Sequence, residues 1–175
     1  MSGPRRGVEF EKRLLAARIV TLADVIDDEL ANLVIAKLLF LEHADPLPDV
    51  TLHIDSPGGS VTASLSVCDV MHELRPPVST WCIGAAEGAA LLVLSAGARG
   101  KRFAHEAARL KFVPVAGGGG ASPDLRRLEG ALVHAFAQAT GQSPSRIRRA
   151  CRDAESFTAD EAVRFGLIDA VLRPG

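Results

Sequence analysis

The chain has 175 residues, a length that suits one domain with a real buried core. Apolar residues make up 47% and charged residues 23%, which excludes a disordered or collagen-like chain. Twenty Lys and Arg stand against 21 Asp and Glu, and the formal charge of −1 argues against electrostatic capture of nucleic acid or of an anionic membrane.

The start, Met1 to Lys12, is polar and charged and does not read as a signal core. Three Cys with no close pair exclude a disulfide scaffold and a zinc ribbon, so the expected compartment is a reducing cytoplasm. Arg18 to Leu22 is a short apolar strand. Asp27, Asp28 and Glu29 then place acceptors and negative charge where a helix begins. Leu30, Leu33, Val34, Leu38 and Leu41 continue it at helical spacing. Pro46 and Pro48 mark a loop. Val50, Leu52 and Ile54 alternate with Thr51, His53 and Asp55, the pattern of a strand.

Ser56-Pro57-Gly58-Gly59 is a tight turn, followed by a helix with Val61, Leu65 and Cys68 on one face. Pro76 and Pro77 close that unit. Val78 to Ile83 reads as the next strand. Gly84 to Ala98 reads as a buried helix, broken by Glu87 and too short to span a bilayer. Arg102 to Ala104 and Arg109 to Val113 are extended, and Gly117 to Gly120 form a flexible run. Asp124 starts a helix with Leu125, Leu128, Leu132 and Phe136 inward. Thr158 and Glu161 have capping-box spacing for a short helix that Gly166 stops, and Leu167 to Val171 is the last strand. Strand and helix alternate throughout, which predicts an α/β domain with a mostly parallel sheet.

Two junctions carry the candidate chemistry. At Ser56 to Ser60 a strand runs into glycines that open a helix, where backbone N–H groups can receive developing negative charge. A plain turn using glycine for positive φ fits the same residues. No Gly-Lys-Ser/Thr follows and a third glycine is missing, so the turn is neither a phosphate loop nor a dinucleotide fingerprint. At Gly84 to Ala90, Glu87 is the only ionisable group in an apolar stretch. It suits either a general acid or base, or a surface charge at a helix N-terminus. His43, His53, His72 and His134 lack metal-ligand spacing, and no metal site or cofactor motif is read. Cys68, Cys82 and Cys151 read as small buried apolar groups, and Arg146, Arg148, Arg149 and Arg152 as a solvated face or as inter-subunit ion-pair partners.

With their spacing, these junctions resemble the Clp protease proteolytic subunit family (ClpP, peptidase family S14), within the ClpP/crotonase fold. The residues that carry the likeness are Asp27 to Leu33 with Leu38 to Glu42, Ile54 to Ala63, Val78 to Gly84 and Ala96 to Ala104. Thr140 to Gln142, Glu161-Ala162 and Phe165 to Asp169 extend it, so that it covers about Arg13 to Leu172. The resemblance implies a single domain over 1–175, with a short flexible segment at 1–12 and a shortened handle region at 113–142. From Asp124 to Gln142 the handle helix is shorter than the family pattern by roughly seven residues, about two turns.

The resemblance also implies which residues hold the family's serine-protease triad. The nucleophile position falls on Gly88 and the histidine position on Val113. The aspartate position falls on Asp153 if one residue is inserted afterwards, and on Ala154 without a gap. Glycine cannot attack a carbonyl and valine cannot accept a proton, so the family mechanism is not expected. Ser95 lies inside the buried helix, and His105 follows a strand. The N–H groups of Gly58 and Ala89 hold the implied oxyanion positions. The function expected is that of a catalytically inactive ring or scaffold subunit, as a homo-oligomer or in a mixed ring with an active paralogue. An alternative keeps the oxyanion site and uses Glu87 in a different acyl chemistry. A third reading, the ATP-dependent endopeptidase subunit that family membership alone implies, conflicts with Gly88 and Val113. The family's chaperone pocket uses aromatic residues on the strand before the Ser-Pro-Gly-Gly turn. That strand here is Thr51-Leu52-His53 in a chain with no Tyr, which argues against docking of a AAA+ unfoldase.

Overall fold

A computed structural model describes residues 4–114 and 122–173. In chain order the elements are α1 (Pro4–Ala16), β1 (Ile19–Ala23), α2 (Asp28–Ala44), β2 (Val50–Ser56), α3 (Val61–Glu73) and β3 (Val78–Glu87). Then follow α4 (Ala89–Ser95), β4 (Arg102–His105), β5 (Arg109–Lys111), α5 (Pro123–Thr140), α6 (Pro144–Arg152), β6 (Ser156–Phe157), α7 (Ala159–Phe165) and β7 (Ala170–Leu172). The main sheet runs β1-β2-β3-β4-β7, all parallel, and β5 pairs with β6 in antiparallel fashion at its margin. This is the α/β alternation expected from the sequence.

Local signals set several ends. The Asp27 side chain accepts from the Leu30 N–H at 2.8 Å and caps α2. Thr158 and Glu161 complete a reciprocal capping box on α7, and Gly166 ends that helix in the left-handed region at φ 94°. Helix α1 covers most of the segment before Arg13. The glycine run Gly117 to Gly120 lies outside the described residues. Within α5, Leu132, Val133 and Phe136 are buried, whereas Leu125 and Leu128 are only half-buried. Helix α5 thus meets the core through its second half.

One face of the sheet is covered by helices and holds the core. Leu22, Leu52, Ile54, Cys82 and Ala104 are fully buried there, with Val34, Leu38, Leu91 and Leu94 from the helices above. The other face carries a row of aromatic rings. His53 pairs with Trp81 across β2 and β3, and Trp81 with Phe103 across β3 and β4. Ring centroids are 5.9 and 5.4 Å apart. All three rings are half-buried. Burial and then the charge of His105 hold the His53 imidazole below its ordinary value.

The stretch Gly84 to Ala98 corrects the reading of one long helix. Strand β3 continues to Glu87, and only Ala89 to Ser95 are helical. The reason is pairing that lies far away in sequence. Ala85, Ala86 and Glu87 form a parallel ladder with Arg109, Leu110 and Lys111. The Asp55 carboxylate accepts from the Ala85 N–H at 2.9 Å, where the β2–β3 register shifts. An isolated run of small residues favours a helix, but here the sheet supplies the partners.

Candidate functional site

The β3–α4 junction turns on Gly88, whose backbone lies at φ 54° and ψ −119°. A side chain is strained in this conformation, and such strain is characteristic of a nucleophile held on a sharp strand-to-helix turn. Here the residue at the turn is a glycine, which adopts this conformation without that strain. A Cβ placed on Gly88 would lie 3.2 Å from the Val113 Cβ. The two residues read as nucleophile and base positions are therefore neighbours in space, 25 residues apart in the chain.

They share a pocket of about 200 Å³. Its lining is Pro57, Gly59 and Val61 from the second junction, Gly88 and Ala89 from the first, Phe112, Val113 and Pro114 after β5, and Leu132 and Phe136 from α5. None of these side chains is nucleophilic or titratable. The sequence from Phe112 through Ala121 adds no such group either. The pocket offers an apolar surface and no proton acceptor.

The two expected oxyanion positions come together. A Cβ on Gly58 would fall 2.6 Å from the Glu87 carbonyl oxygen and 3.4 Å from the Ala89 nitrogen, so the two turns are in close contact. Ala89 opens α4, where first-turn N–H groups have no carbonyl of their own helix to bond. The Gly58 N–H instead donates to Ser56 Oγ at 3.1 Å. Ser56 Oγ in turn donates to the Asp24 carbonyl at 2.6 Å. In this structure the Gly58 N–H expected to face a ligand is engaged by that hydroxyl. Sequence reading missed Ser56, although its place two residues before Gly58 is the usual spacing of a hydroxyl that accepts from a turn. Ser56 is fully buried. Ser56→Ala leaves the Gly58 N–H and the Asp24 carbonyl unpaired, and we expect a loss of about 1–3 kcal/mol in urea unfolding. A change below a few tenths of that would show that the hydroxyl does not hold the turn.

Glu87 stands apart from this pocket. Its carboxylate lies 3.8 Å from the guanidinium of Arg109, an exposed residue on the neighbouring strand, and it does not line the cavity. The requirement of the acyl-chemistry reading, Glu87 beside Gly58 and Ala89 in an accessible pocket, is not met by this arrangement. His105 is exposed at the end of β4, opposite Leu172, and does not line this pocket. Ser95 is buried, and its hydroxyl donates to the Leu92 carbonyl at 3.0 Å.

The aspartate position divides between two neighbours. Asp153 caps the end of α6 and its carboxylate receives Arg152 Nε at 3.0 Å, on the surface. Ala154 has φ 48°, and the next carbonyl, that of Glu155, accepts from the Phe112 N–H at 2.8 Å. The backbone beside Val113 is thus tied to the segment just after Ala154. Arg146 departs from the solvated-face reading. It pairs with Glu155 at 2.7 Å, and its guanidinium lies 4.7 Å from the centre of the Phe165 ring.

The three cysteines are free and buried. Burial first, with nearby carboxylates second, pushes the Cys68 and Cys82 thiols up to about 12 and Cys151 up to about 11. They are protonated at neutral pH and are poor nucleophiles. Among the described residues, no helix is long and apolar enough to cross a membrane.

A strand-to-helix turn at Gly88, a second glycine turn packed on it and a mostly parallel sheet beneath both agree with one finding from comparison with known families. The family model described as Clp protease matches residues 2–175, and the chain belongs to that family.

Proposed function

We propose that this chain is a non-catalytic ring or scaffold subunit of the Clp protease type. The observation that carries the reading is the pairing of Gly88 with Val113 in a pocket without a nucleophile or a base. Peptide-bond hydrolysis by the family route needs an attacking oxygen and an imidazole to take its proton. In this reading Gly88 and Val113 hold those two places. Ala154, or Asp153 turned toward Arg152, holds the third.

Assembly is supported separately. Members of the family generally form oligomeric rings. Here Phe10, Val25, Leu33, Leu39, Phe40 and Leu47 stand 48–83% exposed on α1, α2 and the loops beside α2. So many large apolar side chains in one region of a small domain favour burial against another chain. The row of His53, Trp81 and Phe103 alters the argument about unfoldase docking. That argument rests on β2 alone, and the neighbouring strands supply the aromatic surface that β2 lacks. Three buried protonated thiols suit a reducing cytoplasm.

The test is made on the protein purified gently from its own cells. A particle of ring mass is expected, containing this chain alone or together with an active paralogue. The purified chain by itself is expected to give no fluorophosphonate adduct. Its turnover of a fluorogenic peptide should lie about 10⁶-fold below that of a triad-bearing subunit. A monomer in the native preparation would overturn the assembly role. A serine adduct or measurable turnover from the chain alone would overturn the non-catalytic one.

A further inference from the structure

A second cavity, of about 400 Å³, lies on the far side of α4 from the Gly88 turn. That volume falls at the low end of the usual range for small-ligand sites, about 300–1,000 Å³. Helices α3 and α5 form its walls, and the C-terminal end of α4 forms its floor. Leu65, Leu92 and Ala135 give it an apolar interior. Arg102 also reaches the floor, but Asp169 already matches its charge at 2.6 Å.

Two further charged side chains line the cavity, both exposed and of opposite sign. Asp69 comes from α3, and Arg99 comes from the loop after α4. Among the described residues, no cation lies within ion-pair distance of the Asp69 carboxylate. The Arg99 guanidinium bonds to the Gln138 carbonyl at 3.3 Å, and among the described residues no carboxylate lies within ion-pair distance of it. His72, also on this rim, is already engaged, its Nε2 lying 3.1 Å from the Ala96 carbonyl. Among the described residues, one anion and one cation without an opposite charge thus flank a hollow of mixed lining, with Leu65, Leu92 and Ala135 as its apolar part.

We propose that this cleft binds a small zwitterion with an apolar body, of amino-acid to dipeptide size. Asp69 takes the ammonium and Arg99 the carboxylate, by charge-assisted hydrogen bonds. Leu65 and Leu92 cover the apolar side chain. The cleft is separate from the Gly88 pocket, so the proposal does not depend on whether that pocket is catalytic.

The experiment is calorimetric titration of the full chain with the dipeptide Leu-Ala, with leucine, with N-acetyl-leucine amide and with inorganic phosphate. Saturable binding of Leu-Ala or leucine is expected, with the doubly capped compound at least tenfold weaker. D69N and R99Q are each expected to weaken the zwitterion at least tenfold. Both positions are exposed, so folding is retained, as a thermal melt will confirm. A135L fills the hollow and is expected to abolish binding. No saturation by either zwitterion overturns the proposal. So does binding of the capped compound or of phosphate as tight as that of the dipeptide, or affinity unchanged in both charge variants.

Discussion

Gly59→Ala is expected to unfold the domain or to cost about 4 kcal/mol or more, the range reserved for changes with a specific structural cause. The residue sits at φ 146°, and a Cβ there would lie 2.2 Å from the Ile26 carbonyl oxygen and 2.7 Å from its nitrogen. Both contacts are with backbone, which has no rotamer by which to yield. The same backbone is already committed on either side. The Ile26 N–H donates to the Gly58 carbonyl at 2.8 Å, and the Ser60 N–H donates to the Ile26 carbonyl at 2.7 Å. A methyl group at this point breaks that bridge, the start of α3 and one wall of the Gly88 pocket together. Gly130→Ala provides the contrast. It lies within α5, is exposed, and a Cβ there meets nothing within 4 Å. That change is expected to stabilise by about 0.5–1 kcal/mol through helix propensity. Chemical denaturation of both variants checks the pair. Two similar effects would show that glycine at 59 is there for chain flexibility and not for close approach.

The sequence was legible where short-range chemistry decides. The capping box of Thr158 and Glu161 and the cap at Asp27 can be read from spacing, because the bonds close within three residues. The alternation of β2 was legible because one of its faces is buried against helices. The failures share one physical origin. Residues 84–87 join the sheet through partners at 55 and 109–111, and no local window contains those partners. The outer aromatic row consists of one residue from each of three strands, so reading β2 alone finds only His53. The positions of Gly88 and Val113 could be carried over from family motifs, and the structure brings them into contact. The direction of the Gly58 N–H could not be read, because it turns on a single hydroxyl rotor at Ser56. Nor could that of Glu87, whose strand places it beside Arg109.

Arg102→Met is expected to be the most costly side-chain change in the core, at about 3–5 kcal/mol, the usual loss when one member of a buried ion pair is removed. Arg102 is 5% exposed. Its Nε and Nη2 hold both oxygens of Asp169, at 2.9 and 2.6 Å. Its Nη1 reaches the carbonyls of Ser95, Ala139 and Gly166 at 2.9–3.2 Å, at or beside the C-terminal ends of α4, α5 and α7. Methionine replaces the stem but leaves three helix-end carbonyls without their donor, and leaves the Asp169 carboxylate with the main-chain N–H of residue 102 in place of the guanidinium. Asp169→Asn is expected to cost less, because the guanidinium keeps those carbonyls as acceptors. The pair also predicts a pH dependence of defined sign. Burial alone pushes the Asp169 carboxyl up, but the hydrogen bonds and charge of Arg102 outweigh it and hold the group below its ordinary value. A depressed folded-state value stabilises the protein above the unfolded value of about 3.9, and the benefit is lost as pH falls through the lower folded value. Stability should therefore decline below about pH 4, and Asp169→Asn should flatten that decline. The carboxyls of Glu42 and Glu161 are also held low, by bonds from Arg75 and Thr158, so part of the acid slope remains in the variant. Unfolding free energies of the wild type and Asp169→Asn across pH 2–6 test this. Parallel curves would place the acid sensitivity elsewhere and reduce the Arg102 site to its neutral hydrogen bonds.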